Sequence, residues 1–143
     1  MTPLLRLLLI LLVAAAVSFL IGMTASALAA LMPCEGEGLV CGINEAIGAY
    51  GVLIWVPLGP VIYGVTLFVA RNRTALAGAT IMLLAPLLIS FGIAMVEAWR
   101  YVGFYPYKDL RTFLVMFVPP CVTVLAQALV LRSQLAATGH GAP

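Results

Sequence analysis

Four long apolar segments, separated by short polar ones, dominate the sequence. They extend over residues 4–32, 46–70, 75–98 and 110–131. About 20 apolar residues are enough for an α-helix to cross the ~30 Å hydrocarbon core of a bilayer, and each segment reaches that length. Apolar residues occupy both odd and even positions, whereas strands of a membrane barrel alternate apolar and polar residues. The pattern therefore predicts an all-α membrane protein with four transmembrane helices.

The short connections between these segments predict how the helices are arranged. Short connections favour neighbouring helices that alternate in direction, so we expect a single domain over residues 1–143, built as an up-down bundle. Asn44 and Thr74 are candidate N-caps for the second and third helices. The small and polar residues 132–143 predict a flexible tail.

The first apolar segment also resembles a secretory signal peptide. Arg6 precedes a Leu-rich stretch, and residues 25–30 (ASALAA) offer small residues of the kind found at a cleavage site. The apolar core of a signal peptide has about 7–15 residues, and this segment is longer. We therefore predict that it is retained as the first membrane span.

Composition independently indicates a lipid environment. Hydrophobic residues make up 64% of the 143 residues, and charged residues only 8%. A soluble domain carries roughly a quarter charged residues, so this chain has too few to cover a water-facing surface. The net charge is +2 and the basic residues are scattered, which argues against nucleic-acid binding.

The distribution of charge predicts the orientation in the membrane. Four spans place both termini on one side, together with four arginines and no Asp or Glu; the other side has three basic residues and all five acidic ones. Basic residues are enriched in cytoplasmic loops, so we expect both termini and the tail to be cytoplasmic. Loops 33–45 and 99–109 would lie on the outer side of a bacterial-type inner (plasma) membrane.

Two of the three cysteines lie in the first connection. Cys34 and Cys41 are separated by six residues, and glycines between them let the chain turn back. Thiols on the outer side are oxidised, so we predict a structural disulfide. A redox-active pair is a weaker alternative, because a dithiol of that type usually has C-x-x-C spacing. A metal site is not expected, since no histidine or further cysteine is near.

A stripe of small side chains runs along the first span at four-residue spacing. In a bilayer, helices associate where small residues allow their backbones to approach. The stripe therefore predicts a close contact with another helix, which belongs either to this chain or to a different protein. Its members are Ala14, Ser18, Gly22, Ser26 and Ala30.

Prolines inside the other three spans allow two interpretations. Proline removes a backbone donor, and the freed carbonyls must be satisfied by neighbouring groups. The helices are either kinked to shape the bundle or broken around a transport site. These positions, with one intervening glycine, are Pro57, Gly59, Pro60, Pro86, Pro119 and Pro120. Polar groups available to the freed carbonyls are Thr66, Thr80, Ser90, Thr123 and Gln127.

Residues that carry chemistry are scarce within the spans. The single histidine, His140, lies in the tail, and no ionisable residue lies near the centre of a span. Glu97 has Arg100 three residues later, a spacing that predicts an ion pair at the outer interface. A proton- or substrate-binding carboxylate at Glu97 is the weaker alternative. We therefore expect no enzyme, no cofactor and no metal.

Three functional hypotheses remain at this level. The first is a non-catalytic membrane subunit that packs against and supports a larger membrane complex. The second is a small oligomeric transporter or channel with its site at the prolines, and the third is a membrane thiol-redox protein that uses Cys34 and Cys41. The expected partners are membrane lipids and other integral membrane proteins, or a second copy of the chain, and not nucleic acid.

Overall fold

The computed structural model describes residues 2–34, 38–102 and 106–137, and in these residues it contains four α-helices and no strand. The helices are α1 (Pro3–Ala30), α2 (Gly38–Val69), α3 (Arg73–Val102) and α4 (Pro106–Ala137). All four are long and apolar enough to cross a membrane. The prediction of an all-α protein with four potential spans is confirmed, and the helices have the character of a multi-pass membrane protein.

Side chains at two helix starts provide caps. The backbone N–H of Leu5 donates to Thr2 Oγ1 at 3.4 Å at the start of α1. At the start of α3, the N–H of Ala75 donates to Asn72 Oδ1 at 2.6 Å. The predicted cap, Thr74, is wrong because α3 begins before it, at Arg73.

The helices extend beyond the apolar segments that predicted them. α2 begins at Gly38 rather than near residue 46, so the predicted cap Asn44 lies inside this helix. Similarly, α4 continues to Ala137, which makes the first part of the predicted tail helical. Helical hydrogen bonding is internal to the backbone and need not stop where the apolar side chains end. The rest of the tail, 138–143, lies outside the described residues.

The four helices do not pack equivalently. α4 contacts each of the other three, and α1 and α2 also contact each other. α3 contacts α2 and α4, but within the described residues it does not contact α1. The bundle therefore has a three-helix centre of α1, α2 and α4, with α3 packed on its outside.

Cross-helix contacts give the relative direction of α1 and α4. Met32, just after α1, contacts Arg111 near the start of α4. Ser18, in the middle of α1, contacts Gln127, further along α4. The pairs occur in opposite order along the two helices, so α1 and α4 are antiparallel.

Apolar side chains form the buried core, and all four helices contribute. Phe91 of α3 packs edge-to-face on Phe113 and Phe117 of α4, with ring centroids 5.4 Å apart in both pairs. Such aromatic pairs stabilise beyond the area that they bury. The main cluster consists of Leu11, Ala14, Tyr63, Leu67, Leu76, Ala79, Leu83, Val124 and Leu131.

The outer surface of the bundle is apolar, whereas several polar side chains are buried inside it. Leu12, Phe68 and Ile81 are each about two-thirds exposed, at 68%, 70% and 67%. Ser18 and Gln127 are 0% exposed. This distribution reverses that of a soluble protein and fits a surface that faces lipid.

Candidate functional site

Gln127 is the most connected polar side chain in the centre of the bundle. Its amide Nε2 donates to Ser18 Oγ at 3.1 Å and to the carbonyl oxygens of Trp55 and Val56 at 3.2 and 3.4 Å. The side chain is completely buried. One residue of α4 therefore joins α1 and α2 by hydrogen bonds in a region with little water to compete.

Proline chemistry explains why an α2 carbonyl is available to Gln127. The carbonyl of Val56 would normally accept from the N–H of residue 60, but that residue is a proline and has no N–H. The Gln127 amide supplies a donor instead, which is how freed carbonyls are satisfied in membrane helices. α2 consequently remains helical through both Pro57 and Pro60.

Gly59 allows Gln127 to lie this close to α2. A Cβ atom added at residue 59 would lie 2.6 Å from Gln127 Cδ and would collide with Oε1. The two helices meet here because residue 59 has no side chain. Gln127 Oε1 is also the one buried side-chain oxygen or nitrogen, among the described residues, without a hydrogen-bond partner.

The proline pair of α4 lies at a second close contact with α2. α4 continues through Pro119 and Pro120, and Thr123 Oγ1 donates to the Pro119 carbonyl at 2.9 Å. Pro119 leaves the carbonyl of Val115 without its helical donor. Gly48 of α2 packs directly against that carbonyl, and an added Cβ would collide with it. α2 and α4 thus approach closely at two glycines.

The prolines therefore do not break the helices. α3 continues through Pro86, whose side chain is exposed, just as α2 and α4 continue through theirs. Gly59 and the α2 and α4 prolines contribute to close helix contacts, and no unwound segment surrounds them in the described helices.

The small-residue stripe of α1 faces the chain's own helices. Ala14, Ser18, Gly22 and Ser26 are buried, and Ala30 is partly buried. A Cβ at Gly22 would collide with a hydroxyl of α4 and would lie 2.8 Å from a valine methyl of α2. The predicted close helix contact is present, but it is internal to this chain. The stripe is not free to receive a helix of another protein.

Arg111 forms a second polar junction near one end of the bundle. Its side chain is 5% exposed, and its Nε donates to the Met32 carbonyl at 3.0 Å. Its Nη2 donates to Glu45 Oε1 at 2.9 Å, which forms an ion pair. This side chain of α4 therefore holds the end of α1 and the start of α2, as Gln127 does deeper in the bundle.

The ion pair expected from the sequence, Glu97 with Arg100, differs from the pair that the structure shows, Arg111 with Glu45. Glu97 and Arg100 are both exposed, and the structure does not pair them with each other or with another described side chain. Three-residue spacing permits such a pair, but exposed side chains gain little from it. The Arg111–Glu45 pair has no local signal, because its partners are 66 positions apart. The one sequence signal for this pair is that Arg111 is a charged residue inside the end of an apolar span, where a charge needs a partner.

Cys34 and Cys41 form a disulfide in the structure, as predicted, with their Cα atoms 6.4 Å apart. Cys41 lies in the first turn of α2 rather than in a loop, because that helix begins at Gly38. The bond fastens the segment after α1 to the start of α2. Cys121, in α4, is a free thiol.

The described residues contain no cluster of three or more His, Cys, Asp or Glu side chains able to hold a metal ion. The polar groups that they do bring together are engaged in contacts between helices. The chain matches no known family model, and no curated protein and no solved structure is detectably similar to it.

Proposed function

We propose that this chain is a non-catalytic integral membrane subunit that packs against a larger membrane protein complex and supports it. The observation that carries the proposal is that buried polar side chains form hydrogen bonds between the helices of the bundle. Gln127 binds Ser18 and α2, and the Tyr63 hydroxyl lies 3.0 Å from Thr80 Oγ1. These groups hold the bundle together, as expected of a scaffold.

α3 is the helix best placed to contact a partner within the bilayer. It lies outside the three-helix centre and contacts only α2 and α4 in the described part of the chain. Gly78 and Gly92 are exposed, and a Cβ added at either would meet open space. Ala85 lies midway between them, and seven-residue spacing keeps all three on nearly one side of a helix. A helix of another membrane protein can approach this side closely.

The proposed setting is a bacterial-type inner (plasma) membrane with both chain termini in the cytoplasm. Four arginines lie at or near the helix ends on the side that includes the termini, and this supports a cytoplasmic position for that end. The Cys34–Cys41 disulfide supports an outer position for the opposite end, because disulfides persist in oxidising compartments.

Co-purification with substituted α3 tests the proposal. The tagged chain would be extracted from its native membranes in a mild detergent, as wild type, Gly78→Leu, Gly92→Leu and the control Gly42→Leu. Residue 42 also opens onto free space but lies on α2. We expect a defined set of membrane proteins to accompany wild type and the control and to be lost from both α3 variants.

One outcome would argue against an accessory subunit, and another would argue against α3 as its contact helix. The wild-type chain could be recovered alone under every mild condition. Alternatively, the α3 variants could retain the same partners as the control, which would reject α3 as the contact helix.

A small oligomeric transporter is the second candidate, and one observation favours it. Gln127 Oε1 is a buried acceptor without a donor, next to a proline-containing stretch of α2. Ion or solute flux into liposomes that contain the purified chain would support transport, provided that Gln127→Leu abolishes it and Gln134→Leu does not. Gln134 is an exposed glutamine on the same helix.

A further inference from the structure

Four exposed arginines gather at one end of the bundle, here called the arginine end: Arg6, Arg71, Arg73 and Arg132. Each is close in sequence to a leucine of the main buried cluster. These leucines are Leu11, Leu67, Leu76 and Leu131, one from each helix. The shared cluster brings the four helix ends together, so the four charges lie at the same level of the bundle.

Within the described residues, no carboxylate neutralises this charge. The structure gives none of the four arginines an ion-pair partner among the described side chains. α1 and α3 both begin at this end, and neither has an acidic residue in its first turn. By sequence position, all five Asp and Glu residues belong to the opposite helix ends. Arg111, which does have a carboxylate partner, is also at the opposite end.

The position of the charge suggests what neutralises it. Arg71 lies between α2 and α3, and Arg6, Arg73 and Arg132 lie near the ends of α1, α3 and α4. These helices are long enough to cross a bilayer, so their ends would lie at the level of the lipid headgroups. A guanidinium group binds phosphate oxygens through two parallel hydrogen bonds. Basic residues immediately beside membrane helices are a recognised feature of anionic lipid binding. We propose that the arginine end binds anionic phospholipids and selects them over zwitterionic ones.

The selection follows from net charge. A zwitterionic headgroup presents a phosphate together with an ammonium group, which the arginines repel. A phosphatidylglycerol headgroup presents the phosphate alone, so it gains the full attraction of several arginines. Because the charges are exposed, the preference should weaken as salt concentration rises.

Electron spin resonance with spin-labelled lipids measures this preference directly. The full-length chain would be reconstituted in phosphatidylcholine vesicles, and labelled phosphatidylglycerol and phosphatidylcholine would be compared for association with the protein. We expect wild type to favour phosphatidylglycerol, and each of Arg71→Gln, Arg73→Gln and Arg132→Gln to lower the preference about fivefold. Arg100→Gln, an exposed arginine at the other end, is the matched control and should leave it unchanged.

Three results would overturn the proposal. They are equal association of both lipids with the wild-type chain, an equal loss in Arg100→Gln, and displacement of the labelled lipid by inorganic phosphate but not by sodium chloride at the same ionic strength. The last would assign the site to a free anion. Circular dichroism of every variant in detergent should show wild-type helix content, because exposed arginines without partners do not stabilise the fold.

Discussion

The Gln127 side chain forms several of the hydrogen bonds that join the helices. Its amide donates to two helices, and one acceptor is a carbonyl that proline leaves without a donor. Buried donors and acceptors are costly to leave unpaired. In membrane bundles a single hydrogen bond is nevertheless modest, averaging about 0.6 kcal/mol. The importance of Gln127 therefore lies in the number of bonds that depend on it.

We predict that Gln127→Leu lowers the free energy of unfolding by about 1–3 kcal/mol, because Ser18 and the Val56 carbonyl lose their donor. Reversible unfolding of the purified chain in mixed detergent micelles would measure the loss. Gln134→Leu is the control, since residue 134 is exposed on the same helix. Equal stability of the two variants would show that the Gln127 contacts contribute little.

Gly59→Ala should also destabilise the protein, by about 1–3 kcal/mol. The added methyl group would collide with the Gln127 amide, so Gln127 would have to give up its hydrogen bonds to α2 or the two helices would have to separate. Gly42→Ala adds the same group to an open position in the same helix, where alanine is favoured over glycine. The thermal unfolding temperature should therefore be lowest for Gly59→Ala, intermediate for wild type and highest for Gly42→Ala. A Gly59→Ala protein as stable as wild type would contradict the close approach.

At the level of helices, two connections reinforce the same end of the bundle. The disulfide joins the segment after α1 to the start of α2, and Arg111 of α4 binds both of these regions. The disulfide is a covalent bond between nearby positions in the chain, whereas the Arg111 contacts join distant positions across the bundle. Together they fix how α1, α2 and α4 meet at this end, and they leave α3 to pack on the outside.

Replacing Cys34 and Cys41 by serine should cost stability without removing function. Closing a loop of this length stabilises a protein by roughly 2–3 kcal/mol in the loop-entropy model. We expect the double variant to unfold at a lower detergent fraction than wild type. Its lipid preference and its co-purifying partners should be unchanged, because the arginine end and α3 are elsewhere. A full loss of partners with the fold intact would favour the thiol-redox hypothesis.

For the whole molecule, the testable quantity is its orientation in the bilayer. We predict that the chain end after residue 137 lies in the cytoplasm, because the arginine end should remain inside. A reporter that works only in the cytoplasm should therefore be active when it is fused after residue 137. Alkaline carbonate should not release the chain from membranes. A C-terminal reporter active outside the cell would contradict the orientation, and release by carbonate would contradict the membrane assignment itself.

The sequence predicted some features of the bundle and missed others for an identifiable reason. The stripe at Ser18 and Gly22 indicated a close helix contact, and Gln127 was one of five polar residues expected to be available to the carbonyls freed by proline. Neither pattern showed that these residues meet, since Ser18 and Gln127 are 109 positions apart. Glu97 and Arg100 suggested an ion pair because they are near in sequence, but the pair formed is the distant one between Arg111 and Glu45.

Four apolar spans and a disulfide were determined by the sequence alone. Span length depends only on consecutive apolar residues and bilayer thickness, and a disulfide across seven positions depends on a short stretch of chain. The small-residue stripe indicated the packed side of α1, but the tertiary structure alone decided which side of α2, α3 and α4 faces inward. Lipid is as apolar as the side chains that it touches, so hydrophobicity does not orient these helices. Packing at Gly22, Gly48 and Gly59, with the hydrogen bonds of Gln127 and Arg111, does so instead.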